Sequence, residues 1–103
     1  MSLYLLTPQA EDDLFDIWSY IAKDNLEAAD RVETQIYAAC AFLSSSPQAG
    51  HVRSDLTSRK VRFWTLPHLS HYLIVYDPAC DPLRVIRILH GSRDIPRQLP
   101  TPK

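Results

Sequence analysis

Five cationic side chains in the second half of the chain, Lys60, Arg62, Arg84, Arg87 and Arg93, accompany His90 and the tyrosines Tyr72 and Tyr76. A guanidinium grips phosphate oxygens in a two-point fork. RNA cleavage without a metal needs a base for the 2′-hydroxyl, an acid for the leaving 5′-oxygen and positive charge for the phosphorane. Imidazole titrates near neutral pH, so His90 fits the acid–base role and Arg62, Arg84 and Arg87 fit the charge role. Plainer roles stand beside these. Arginines in the outer row of a sheet solubilise it. Arg93 and Asp94 can close a C-terminal turn as an ion pair. His90, followed by Gly91, can hydrogen-bond the backbone at a strand end.

Other chemistries find no support. His51, His68, His71 and His90 show no metal-ligand spacing beyond the HxxH of His68 and His71, which reads as a loop histidine and a strand histidine. Only Gly50 and Gly91 are present, and neither belongs to a phosphate-binding glycine loop. Ser92 lacks the GxSxG elbow. Cys40 and Cys80 form no CxxC and imply neither a disulfide framework nor a zinc site; Cys40 reads as core packing. No cofactor is expected.

The chain of 103 residues is read as one domain, residues 1–103. Its net charge of −1 conceals a dipole. Residues 1–50 hold eight acidic groups against Lys23 and Arg31, a balance of −6, and residues 51–103 hold nine Lys/Arg against four Asp, a balance of +5. A basic half can face a polyanion or an acidic partner, while the acidic half argues against wrapping nucleic acid all round. With no basic leader before an apolar run and no stretch near 18 apolar residues, a cytoplasmic protein with no membrane association is expected.

These residues need a frame. Ser2–Leu6 reads as a first strand. Thr7 then Pro8 opens a helix, with Thr7 as N-cap and Pro8 at the first helical position. Ala10, Leu14, Ile17 and Ile21 recur at helical spacing, widened by Trp18, to an end near Lys23. Asp24-Asn25 is a break and cap. Leu26 to about Ser45 is a second helix on the stripe Ala29, Val32, Ile36, Ala39 and Leu43, stopped by Pro47. The short link favours an antiparallel αα-hairpin. His51–Ser58 shows little periodicity and reads as a surface connection. Arg59–Leu66, then Leu69 or Ser70 to Tyr76, then Leu83–Leu89 read as strands. Residues 93–99 could form a short helical turn before a proline-rich tail. The pattern is β-α-α-β-β-β, an α+β fold with the hairpin on one face of an antiparallel sheet. The other face is the candidate working surface.

Five stretches in this order resemble the ParE branch of the RelE/ParE toxin superfamily, toxins of type II toxin–antitoxin or plasmid-stabilisation modules. They are Ala10–Ala22 (AEDDLFDIWSYIA), Asn25–Arg31 (NLEAADR), Leu43–Pro47 with Gly50, Tyr72–Tyr76 (YLIVY) and, most specific, Arg87–Ile95 (RILHGSRDI), a strand followed by HG-x-RD. The resemblance covers about residues 3–99. It implies a curved sheet and a small antitoxin whose C-terminal segment wraps the toxin while its N-terminal part binds operator DNA. ParE-type members are described as poisoning DNA gyrase, and RelE-type members as cutting mRNA on the ribosome.

Within this resemblance a non-nucleolytic, gyrase-inhibiting toxin is favoured. A dense lysine row is missing, Ser92-Arg93-Asp94 stands where an aromatic would follow Gly91, and the first helix is acidic. The implied target-binding residues are Arg87, His90, Arg93 and Arg97. Antitoxin contacts fall on Trp18 and Trp64, with strand addition at the sheet edge. The alternative is a ribosome-dependent endoribonuclease using Arg62, Arg87 and His90. No metal takes part in either.

Overall fold

A computed structural model of the chain describes residues 3–90. Its elements run β1 (Tyr4–Leu6), α1 (Pro8–Ala22), α2 (Leu26–Ser45), β2 (Arg62–Leu66), β3 (Leu69–Asp77) and β4 (Leu83–His90). The expected β-α-α-β-β-β order holds, and the boundaries move by few residues. The largest shift is in β2, which starts at Arg62 rather than Arg59. The expected turn over residues 93–99 lies outside the described residues.

Both helices start as their caps dictate. The Thr7 hydroxyl oxygen accepts from the Ala10 N–H at 3.1 Å, and Pro8 takes the first helical position. Asn25 does the same for α2, its side-chain oxygen accepting from the Ala28 N–H at 3.0 Å. Each cap satisfies one of the N–H groups that a helix start leaves without an internal partner. The helices meet along Ala10, Leu14, Ile36, Ala39, Cys40 and Leu43, which are buried against the sheet. Small residues at these positions let the backbones approach closely.

The sheet order is β1-β4-β3-β2. β2, β3 and β4 form the expected antiparallel meander. β1 joins it in parallel, with Tyr4 opposite Leu83 and Leu6 opposite Val85. Tyr72, Ile74 and Tyr76 of β3 face the helices with Leu66, Val85 and Ile88. A register shift opposite Val75 and Tyr76 leaves Ile86 as an extra residue on β4, the geometry of a β-bulge.

The second face of the sheet is not bare. Val61, Phe63, Val75 and Leu89 form a separate buried cluster there, with Leu56, Leu73 and Ile86 packed around it. The connection after α2, expected as plain surface, lays Leu56 over this face. His51 exchanges two 2.8 Å backbone hydrogen bonds with Phe63. The face proposed for work is therefore partly a second core.

Candidate functional site

Arg87 lies on β4 just past the bulge, where β1 has run out. Its Nε and Nη2 donate to the two carboxylate oxygens of Asp13 on α1, at 2.7 and 2.9 Å. Asp13 also accepts from the Ile88 backbone N–H at 3.0 Å. At the N-cap, six residues earlier, the Thr7 hydroxyl donates to the Ile86 carbonyl at 2.6 Å. The first turns of α1 thus take over the edge of β4 that β1 leaves open. Donating to the Asp13 carboxylate pushes the Arg87 guanidinium above its ordinary value, against the partial burial that would lower it. Side-chain exposures of 23% for Arg87 and 15% for Asp13 make this a half-desolvated pair, in the regime where forked geometry counts.

In the sequence Asp13 sits with Glu11 and Asp12 in an acidic group near the start of α1. Its position held the missing signal. Asp13 is three residues after Ala10 and four before Ile17, which puts it on the buried stripe rather than the acidic face. A carboxylate there needs a cationic partner, and β4 supplies one.

At the far end of β4, His90 lies opposite Tyr72 in the register. The His90 ring centroid is 5.5 Å from those of Tyr72 and His71, and His71 and Tyr72 are 4.3 Å apart. Tyr72 is buried and its ring meets His90 edge-on. This is an aromatic corner at the start of β3, which brings His71 to the site as a residue the sequence reading had placed only on a strand.

Arg62 stands at the other end of the sheet, opposite Tyr76. Its Nη1 donates to the Gly50 carbonyl at 2.7 Å, with a longer contact to that of Gln48 at 3.5 Å. Beside it the fully buried Tyr76 hydroxyl donates to the Pro47 carbonyl at 2.7 Å and accepts from the Gly50 N–H at 2.9 Å. Burial pushes this phenol up, so it stays protonated as a donor. Four residues of β3 separate Tyr76 from Tyr72, about 13 Å at the usual strand rise. Arg62, Arg87 and His90 therefore occupy three different neighbourhoods: a loop anchor, a helix clamp and an aromatic corner.

Trp18 Nε1 donates to Asp30 Oδ1 at 2.9 Å, which ties α1 to α2. The Trp64 ring lies 5.2 Å from that of Phe42 at an interplanar angle of 39°, and its buried N–H has no hydrogen-bond partner among the described residues. Both tryptophans keep part of their surface exposed. Around the hairpin the large apolar side chains Phe15, Tyr20, Leu26 and Phe42 are 45–73% exposed. Arg93 and Arg97 lie outside the described residues. Among the described residues no three His, Cys, Asp or Glu are placed to hold a metal, and no helix is long and apolar enough to cross a membrane.

Comparison with known proteins places this geometry. No curated protein matches the chain. Among solved structures, one described as the chromosomal ParDE TA system from P. aeruginosa superposes with a TM-score of 0.70 at 20% identity, over 84% of this chain and 92% of that one. At that identity the likeness speaks for the fold: a helix hairpin against a β-sheet of this topology. A family model described as the ParE toxin of the type II toxin–antitoxin system, parDE, matches residues 4–95, nearly the whole chain. That span contains the caps, the Asp13–Arg87 clamp, the aromatic corner and the HG-x-RD motif, and on it the chain belongs to the ParE toxins, the toxin partners of a cognate antitoxin in type II modules.

Proposed function

We propose that this toxin acts by binding DNA gyrase rather than by cutting RNA. The observation that carries the reading is the dispersal of Arg62, Arg87 and His90. A metal-free nuclease needs its base, acid and phosphorane-stabilising charge around one phosphodiester. Here Arg87 is committed to Asp13 on the helix side, and Arg62 reaches for the Gly50 carbonyl at the opposite end of the sheet from His90. Arg87 and His90, with Arg93 and Arg97 beyond them, serve on this reading as target contacts or as supports for them.

The antitoxin covers the outside of the helix hairpin. Trp18 and Trp64 anchor that contact, Trp64 through its neighbour Phe42, and the exposed Phe15, Tyr20 and Leu26 add apolar area. Exposed aromatic groups of this size are the usual anchors of a tight interface.

The deciding experiment is a supercoiling assay with purified, folded toxin and gyrase, run beside primer extension on translated mRNA. Inhibition or linear DNA with intact mRNA is the expected result. Codon-positioned mRNA cuts that vanish in His90→Ala and Arg87→Ala, with gyrase unaffected, would reverse the assignment to the RelE-like alternative.

A further inference from the structure

Behind β2, at the end of the sheet away from His90, lies a cavity of about 320 Å³. Arg59, Lys60 and Arg62 line it together with the hydroxyl residues Ser54, Thr57 and Ser58. Among the described residues no acidic side chain lines it. The nearest carboxylate in sequence, Asp55, is taken up by Arg53 in a two-point pair at 2.8 and 3.0 Å. Arg62 is held through Nη1, and its other N–H groups have no partner among the described residues. Thr57 is only 7% exposed; its oxygen accepts from the Arg59 N–H at 3.1 Å, and its own proton has no acceptor among the described residues. Arg59 and Lys60 likewise have no carboxylate partner there.

We propose that this cavity is a binding site for a phosphate group of a nucleic acid strand. Three cations and the buried Thr57 line this space beside Val52, Val61 and Pro78, with no carboxylate among the described lining residues, a donor set suited to phosphate oxygens. The lining residues include no aromatic ring on which a base could stack, so the site holds backbone rather than reading a nucleobase. The acidic helices lie on the opposite side of the sheet from the cluster that the 51–60 connection covers. An approaching strand is therefore steered to the cavity and away from the hairpin. This site is separate from the gyrase reading, and neither depends on the other.

The test is binding of the full chain to a fluorescein-labelled single-stranded oligonucleotide, followed by anisotropy across a salt series. Inorganic phosphate and a polyglutamate peptide are titrated in parallel by NMR. One phosphate of a single strand neutralised here contributes a log–log salt slope of about −0.7, and Arg59→Gln/Lys60→Gln should remove that contribution, with roughly tenfold weaker binding at low salt. Lys60→Glu, at an exposed position, gives the same direction with little risk to folding. Amide shifts from inorganic phosphate should centre on residues 54–62. The proposal is overturned if the oligonucleotide does not bind, if the variants bind it as well as the parent, or if phosphate shifts fall elsewhere. Polyglutamate binding as tightly as the oligonucleotide would overturn it in favour of an acidic protein partner.

Discussion

Replacing Asp13 with alanine removes one carboxylate and three hydrogen bonds at once. Two come from Arg87 and are charge-assisted; the third comes from the Ile88 N–H. A hydrogen bond to a charged group contributes about 1.5–3 kcal/mol net, and an abandoned buried donor costs about 1–3 kcal/mol. Both side chains keep some contact with water, so the values belong at the low end. The expected loss for Asp13→Ala is about 2–4 kcal/mol, a fall in Tm of roughly 10–20 °C for a domain of this size. Arg87→Ala should cost less, about 1–2 kcal/mol, because Asp13 then keeps the Ile88 N–H and its charge is not fully enclosed. In a double-mutant cycle the pair should show a coupling of about 1–2 kcal/mol, well above the few tenths expected of independent sites. Urea unfolding followed by Trp fluorescence measures all four proteins. A coupling near zero, with Arg87→Ala as stable as the parent, would refute the clamp and leave Arg87 a surface residue available to a target.

Three further outcomes follow from buried groups. Tyr76→Phe strands the Pro47 carbonyl and the Gly50 N–H together, and should lower stability by about 2–3 kcal/mol, read as a lower urea midpoint at unchanged m. Gly50→Ala would place a Cβ 2.6 Å from the Tyr76 hydroxyl and 3.0 Å from the Phe63 carbonyl oxygen; with a buried ring and a strand backbone on either side, a cost of about 1–3 kcal/mol is expected by thermal melting. Burial pushes the Cys40 thiol up to about 12, so the folded form holds its proton where the unfolded thiol has already lost it. The resulting stability is complete below the ordinary thiol range and drains away as pH rises from there toward 12. Tyr4, Tyr37 and Tyr76 are shifted upward by burial as well and act in the same direction. Unfolding midpoints between pH 8 and 10.5, set on the approximate scale of the thiol and phenol values, should fall less steeply in Cys40→Ala than in the parent.

Local signals carried most of the fold. Thr7-Pro8 and Asn25 are caps whose chemistry acts within three residues, and the apolar stripes of both helices have one period throughout, so start, length and buried face could be read directly. The strand pattern of Leu69–Asp77 was equally plain, since a strand buried on both faces is apolar on both. Two features depend on contacts between distant residues and were harder to read. The parallel seating of β1 depends on which edge the hairpin returns to. The second cluster depends on Leu56 folding back over Phe63 and Val75, in a segment with no period to announce it. At the site, the chemical types of Arg62, Arg87 and His90 were legible, but not their separation. What divides them is the register of β3 and the salt bridge to Asp13, neither of which has a short-range signature. The HG-x-RD motif located the family, yet Arg93 and Arg97 lie beyond the described residues.

The way β4 is held also bears on the order in which the molecule can be built. Its partners are Thr7, 79 positions earlier, and Asp13, 74 and 75 positions earlier, besides β1 itself. During synthesis the helix hairpin emerges first and can form early from local contacts. β1 and the first turn of α1 must wait for the last strand, since contacts of such long separation close only after intervening chain is made. A prematurely terminated product that stops before Leu83 would have helices but no seat for β1 and no partner for Asp13. Toxicity should therefore arrive as a single late event in the life of each chain. Until then the nascent toxin already exposes Phe15, Tyr20 and Leu26 on the hairpin, so if the proposed antitoxin surface is the one used, neutralisation can begin before there is anything to neutralise.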